Sequence, residues 1–142
     1  MGVSISDLHK TIDSLFPDLN SIDSEGTQRA CVNRKYYATY HHLLEVLNNH
    51  FSYDLSNEGR FGNTGHHKRV VLAFEDVYMT TGSKNAQQLY LKIQNFISKR
   101  HKADYYLDSD FDEFDYKQSI KFANDIPDLA NKLVEELKNK RA

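Results

Sequence analysis

Six glycines and two prolines are spread through 142 residues, and three of the glycines fall together between Gly59 and Gly65. Long stretches therefore lack the two strongest helix breakers, and within them apolar residues recur at helical rather than alternating spacing. The expectation is an all-α fold, a four- to five-helix antiparallel bundle forming one domain over residues 1–142. A chain of this length can bury a sufficient core without disulfide or metal staples.

The spacing predicts five helical segments. The first covers about Ser4 to Phe16, with Leu8, Ile12, Leu15 and Phe16 on one side, and Pro17 stops it. The second runs from about Ser24 to Phe51. Its stripe of Ala30, Tyr37, Tyr40, Leu44 and Leu47 is widened by Val32, Tyr36, Leu43 and Val46, which predicts a central helix packed on more than one side. Turn residues fill a loop from Ser52 to Thr64. The third helix starts near Thr64, carries Val70, Val71, Phe74, Val77 and Tyr78, and ends by Gly82. Ser83 is a candidate N-cap for the fourth, which carries Ala86, Leu89, Tyr90, Ile93, Phe96 and Ile97. An acidic loop around Leu107 precedes a fifth helix, about Asp112 to Lys140, which carries Phe114, Ile120, Ala123, Ile126, Leu129, Leu133 and Leu137. Pro127 lies inside it and predicts a kink.

A net charge of -2 marks a chain that is no polycation, which argues against tight nonspecific nucleic-acid binding. The single cysteine, Cys31, excludes an internal disulfide and points to a reducing, cytoplasmic setting. Met1 to Lys10 has no long apolar run, so no signal peptide is expected. No stretch reaches the roughly 18 apolar residues of a membrane span, so no membrane association is expected.

Arg34 and His41 are the leading candidates for chemistry. Two helical turns apart, they share a face with a drift of about 20° and a separation of roughly 10 Å along the axis. A phosphate between them would meet a planar, permanently charged fork and a group that moves protons near neutral pH. That pair suits metal-independent RNA cleavage, in which a base removes the 2′-hydroxyl proton and a cation steadies the pentacovalent state. Neither the His41–His42 pair nor the His66–His67 pair is a metal site by itself, because adjacent helical residues diverge by about 100°. No cofactor is expected. Arg60 and His66 repeat an Arg-then-His order across a glycine-bearing loop, without fixed geometry. Asp108, Asp110 and Asp112 superficially resemble a calcium loop, but Glu113 and Ser119 replace its required Gly and Glu. The acidic block instead supplies negative charge to the next helix N-terminus. In the basic run Lys99, Arg100, His101 and Lys102, the side chains either face phosphates or serve the bundle, with Asp104 pairing Arg34 or Arg100.

The run Asn33-Arg34-Lys35-Tyr36-Tyr37-Ala38-Thr39-Tyr40-His41 resembles the Arg-x-Tyr-Tyr-Ala-x-x-His signature of HEPN domains, in particular their small stand-alone branch. Thr64-Gly65-His66-His67 is similar to that branch's His-Gly start of the third helix, and Arg100-His101-Lys102-Ala103-Asp104-Tyr105 to its Arg-x-x-Ala-Asp-Tyr motif. Ala123, Ile126 and Ala130 match its final helix, so the resemblance covers about Thr27 to Leu137. It implies a helical bundle that forms a homodimer, and a metal-independent ribonuclease of toxin–antitoxin, CRISPR or antiviral systems. Arg34 and His41 would be the catalytic pair, at the upper limit of the family's four-to-six-residue spacing. Tyr36, Tyr37, His66, Arg100, Lys102, Asp104 and Tyr105 would be RNA- or nucleotide-binding. The family's common Arg-Asn-x-x-x-His hexad is absent. Two further readings stay open. One is a non-catalytic dimeric module that binds nucleotide, RNA, a cognate antitoxin or a nucleotidyltransferase. The other is a purely architectural bundle in which Arg34 is a buried tether to Asp104.

Overall fold

The computed structural model describes residues 7–8, 10–12, 25–52 and 65–141, and no strand occurs among them. Four helices, α1 (Glu25–His50), α2 (His66–Thr81), α3 (Lys84–Tyr105) and α4 (Glu113–Arg141), form a helical bundle. Asp7, Leu8, Lys10, Thr11 and Ile12 are helical, where the first segment is expected. The rest of that segment, and most of the predicted loop with Arg60, lie outside the described residues. No described helix is long and apolar enough to cross a membrane.

α3 packs against each of the other helices, while α1 lies mainly on α4 and α3. The central position expected of α1 is thus shared with α3. Fully buried Phe74 from α2, Phe96 and Leu89 from α3, Leu47 and Val32 from α1 and Ile126 and Leu133 from α4 fill the space between them. Within α1 the predicted stripe is rotated: Cys31, Val32, Tyr36, Leu43, Val46 and Leu47 face inward, whereas Ala30 and Tyr37 are exposed. Of the apolar residues in the fifth segment Phe114 is exposed, while Phe111 and Tyr116 beside it are buried.

The helix ends follow local chemistry. Gly82 adopts a left-handed φ of 70° and its N–H donates to the Tyr78 carbonyl, closing α2 in a conformation that side chains disfavour. Ser83 follows at once as the N-cap of α3, its hydroxyl accepting from the Ala86 N–H at 3.3 Å. The same hydroxyl donates to Glu136 at 2.8 Å, which ties the turn to α4. A two-residue link returns α3 alongside α2 as a helical hairpin. α4 continues through Pro127, whose ring removes the N–H that would reach the Ala123 carbonyl.

α4 opens with a reciprocal cap. Asp112 accepts from the Asp115 N–H at 2.8 Å, and Asp115 accepts from the Asp112 N–H at 3.3 Å. Asp115 is buried and also accepts from Lys99 at 2.6 Å and Lys102 at 2.7 Å. Burial by itself would raise this carboxyl, but the hydrogen bonds from Lys102, Lys99 and the Asp112 backbone outweigh it and hold the pKa at about 2. Because the folded value lies below the ordinary 3.8, the contribution is complete above that value and is lost as pH falls through about 2. Allowing for the partly solvated lysines, it is worth on the order of 1–2 kcal/mol. Urea unfolding of wild type and Asp115→Asn between about pH 5 and pH 2 is expected to show a steeper acid loss in wild type. Parallel curves would remove Asp115 as the cause.

The other end of α3 lacks a glycine cap. Arg29 of α1 serves instead, donating to the carbonyls of Lys102 at 3.1 Å, Ala103 at 3.0 Å, Tyr106 at 3.2 Å and also Ser109. Glu25 accepts from Arg29 at 2.9 Å and from the Phe111 N–H at 2.6 Å. The Phe111 N–H, and then Arg29, hold the Glu25 carboxyl below the usual range. The Phe111 ring lies 5.4 Å from the guanidinium.

Candidate active site: the Arg34–His41 groove

α1 sets Arg34, Tyr37 and His41 along one stripe, at i, i+3 and i+7. Together with Asn33 and Ala38 they line one side of a groove of about 290 Å³, and Leu8, Thr11 and Ile12 line the other. Ala38 and Ile12 are buried, while Arg34, Tyr37 and His41 are exposed. The guanidinium and imidazole side chains therefore share one accessible concavity.

Asp104 takes Arg100, rather than Arg34, as its cation. Its Oδ2 accepts from Asn33 at 2.8 Å and lies 3.5 Å from Arg100. This removes the architectural reading of Arg34 as a buried tether to Asp104, since the buried arginine of that motif is Arg100.

Beneath the groove wall lies a polar network. Arg100 Nη2 is 3.2 Å from His67 Nε2, and His67 Nδ1 is 2.6 Å from the Tyr36 hydroxyl. An arginine only donates, so Nε2 is the acceptor and Nδ1 carries the proton offered to the tyrosine oxygen. Burial, followed by the charges of Arg100 and His66, pushes the His67 pKa down and keeps the ring neutral. Burial raises the Tyr36 phenol well above its ordinary range despite the nearby Arg100. The Arg100 guanidinium carbon lies 4.9 Å from the Tyr36 ring centroid, 5.5 Å from that of Tyr37 and 5.9 Å from that of Tyr105. Its buried Nε has no hydrogen-bond partner, so these rings carry part of its stabilisation.

This network has a pH consequence. A histidine whose folded pKa is lowered stabilises fully above the ordinary value of 6.5 and loses that contribution as pH falls through the folded value. Protonated Nε2 would also turn an acceptor into a donor facing Arg100. Unfolding midpoints compared near pH 7 and pH 5 should fall more in wild type than in His67→Gln; equal falls would place the acid sensitivity elsewhere.

The remaining candidates divide by position. Tyr36, Arg100 and Asp104 belong to the network rather than to the groove lining. The basic run on α3 is split: Lys99 and Lys102 are held by Asp115, Arg100 points inward, and exposed His101 packs against Tyr105 with ring centroids 4.7 Å apart. His66 is exposed at the first residue of α2 and Tyr105 at the last of α3, and neither lines the groove. Asn33 lines the groove and His67 joins the network, and neither is among the site residues expected from the sequence. His67 had a signal, because it precedes Val70 and Phe74 at i+3 and i+7 on the inward stripe of α2. Among the described residues no three His, Cys, Asp or Glu side chains gather as metal ligands.

Comparison with protein-family models, curated proteins and solved structures returns no match to this chain. A guanidinium and an imidazole border one groove, an exposed phenol lies between them on the helix, and Leu8, Ile12 and Ala38 supply apolar lining.

Proposed function

We propose that this chain is a HEPN-like, metal-independent endoribonuclease or toxin that cleaves RNA phosphodiesters. The observation that carries the reading is the shared groove of Arg34 and His41, two turns apart and both exposed. Neutral His41 takes the proton from a 2′-hydroxyl, and the freed oxygen attacks the adjacent phosphorus. Arg34 holds the non-bridging oxygens as charge builds on them. The bond to the 5′-oxygen breaks, that oxygen takes up a proton, and a 2′,3′-cyclic phosphate remains. In a homodimer two such grooves would be related by the two-fold axis.

A second reading is a non-catalytic dimeric module that binds a nucleotide, RNA or a protein partner such as an antitoxin or nucleotidyltransferase. The groove's carbon-rich lining of Leu8, Ile12, Ala38 and Tyr37 favours it, because such a surface accepts a base without chemistry. One assay separates the two. In EDTA, an RNA oligonucleotide should yield cyclic-phosphate ends, and the same strand with 2′-deoxyribose throughout should stay whole. Stable binding of uncut RNA would favour the binding module, and equal cutting of both strands would exclude attack by the 2′-hydroxyl.

A further inference from the structure

We infer that Tyr37 is the nucleobase platform of this groove, stacking the base next to the phosphate held between Arg34 and His41; this rests on the proposed reading of the groove as an RNA site. Tyr37 stands between those two side chains on the α1 stripe and lines the same groove. It is 38 % exposed, whereas its neighbour Tyr36 is 3 % exposed and spends its hydroxyl on His67.

The inner side of the Tyr37 ring is already occupied. Tyr36 and His67 meet it nearly edge-on, with ring centroids 5.5 Å and 5.8 Å away. The Arg100 guanidinium lies over the ring at 5.5 Å. These contacts fix the ring's orientation before any ligand arrives, so little rotamer freedom remains to be lost on binding. A cation over one face draws π-density inward and leaves the outer face poorer in electrons. Such a face attracts an electron-rich heterocycle more than a second cation.

Tyr105 is the competing aromatic, being 63 % exposed and also close to Arg100. Its ring is already packed on His101, and exposed Asp108 and Asp110 follow it in the chain. That acidic stretch opposes a phosphate backbone, while the Tyr37 surroundings contain Arg34 and His41. Tyr37 is therefore the ring on which a base and a bound phosphate can be satisfied together.

The test measures fluorescence anisotropy in EDTA with the otherwise unaltered chain as parent, and every probe carries 2′-O-methyl ribose, which leaves no hydroxyl to attack and so prevents turnover. The probes are a labelled oligoadenylate RNA and an oligomer of equal length built from abasic units. Tyr37→Phe should bind the RNA like its parent, whereas Tyr37→Leu should lose about tenfold or more. The abasic oligomer should bind all three proteins equally and as weakly as Tyr37→Leu binds RNA. Tight RNA binding by Tyr37→Leu, or equal binding of RNA and abasic oligomer by the parent, overturns the platform while leaving the groove as an RNA site. Failure of the parent to bind RNA at all overturns both. The abasic arm uses the unaltered ring, so it decides the matter even where Tyr37→Leu melts early.

Discussion

Arg29→Ala is expected to lower the unfolding free energy by about 3–5 kcal/mol, a large fraction of what a domain of this size has in total. Arg29 is only 8 % exposed and connects three parts of the chain. It receives the Glu25 carboxylate, donates to four carbonyls at and beyond the end of α3, and stacks on Phe111. Truncation removes every one of these donors, leaving the buried Ala103 carbonyl and the part-buried ones of Lys102, Tyr106 and Ser109 without them, and the buried acceptor counts most against the fold. Thermal melting should drop by about 10–20 °C. Arg29→Lys should recover only part of this, because an ammonium lacks the planar fork that reaches several acceptors at once. A shift of less than about 1 kcal/mol in Arg29→Ala would show that water replaces the guanidinium at little cost.

The second large effect is catalytic. On the proposed reading, His41→Ala should reduce RNA cleavage in EDTA by about 10²–10⁴-fold, the range of a lost general base. The side chain is exposed, so the melting temperature should move little, in keeping with the roughly 0.5 kcal/mol typical of surface changes. The contrast with Arg29 is the informative part: one substitution removes stability, the other only rate. A His41→Ala protein that retains full activity would assign the base to another residue.

The helices were legible because their apolar spacing is local. Ser83 and Gly82 announced the α2–α3 turn, and the acidic block announced the start of α4, where Asp112 and Asp115 cap each other. Arg29 was not legible. Its carbonyl partners lie 73 to 80 residues away, and a backbone carbonyl leaves no mark in a sequence. The direction of α1's aromatic side chains was also hidden. Tyr36 and Tyr37 are adjacent and about 100° apart on the helix, and an apolar stripe this broad accepts either inward. Packing by α2 and α3 decides it, turning Tyr36 onto His67 and Phe96 and leaving Tyr37 at the groove. The Arg34–His41 alignment was visible because it depends only on helical repeat. The fate of Lys102 was not, since Asp115 lies on the next helix.

A double-variant cycle measures most directly whether Arg34 and His41 act as one device. Cleavage rates in EDTA would be taken for wild type, Arg34→Ala, His41→Ala and the double variant, with melting curves for each. If both side chains serve the same phosphate in the same step, each single change is severe and the double is scarcely worse than the poorer single, because the second loss has nothing left to remove. Two folded single variants that cleave RNA at the wild-type rate would contradict the account outright.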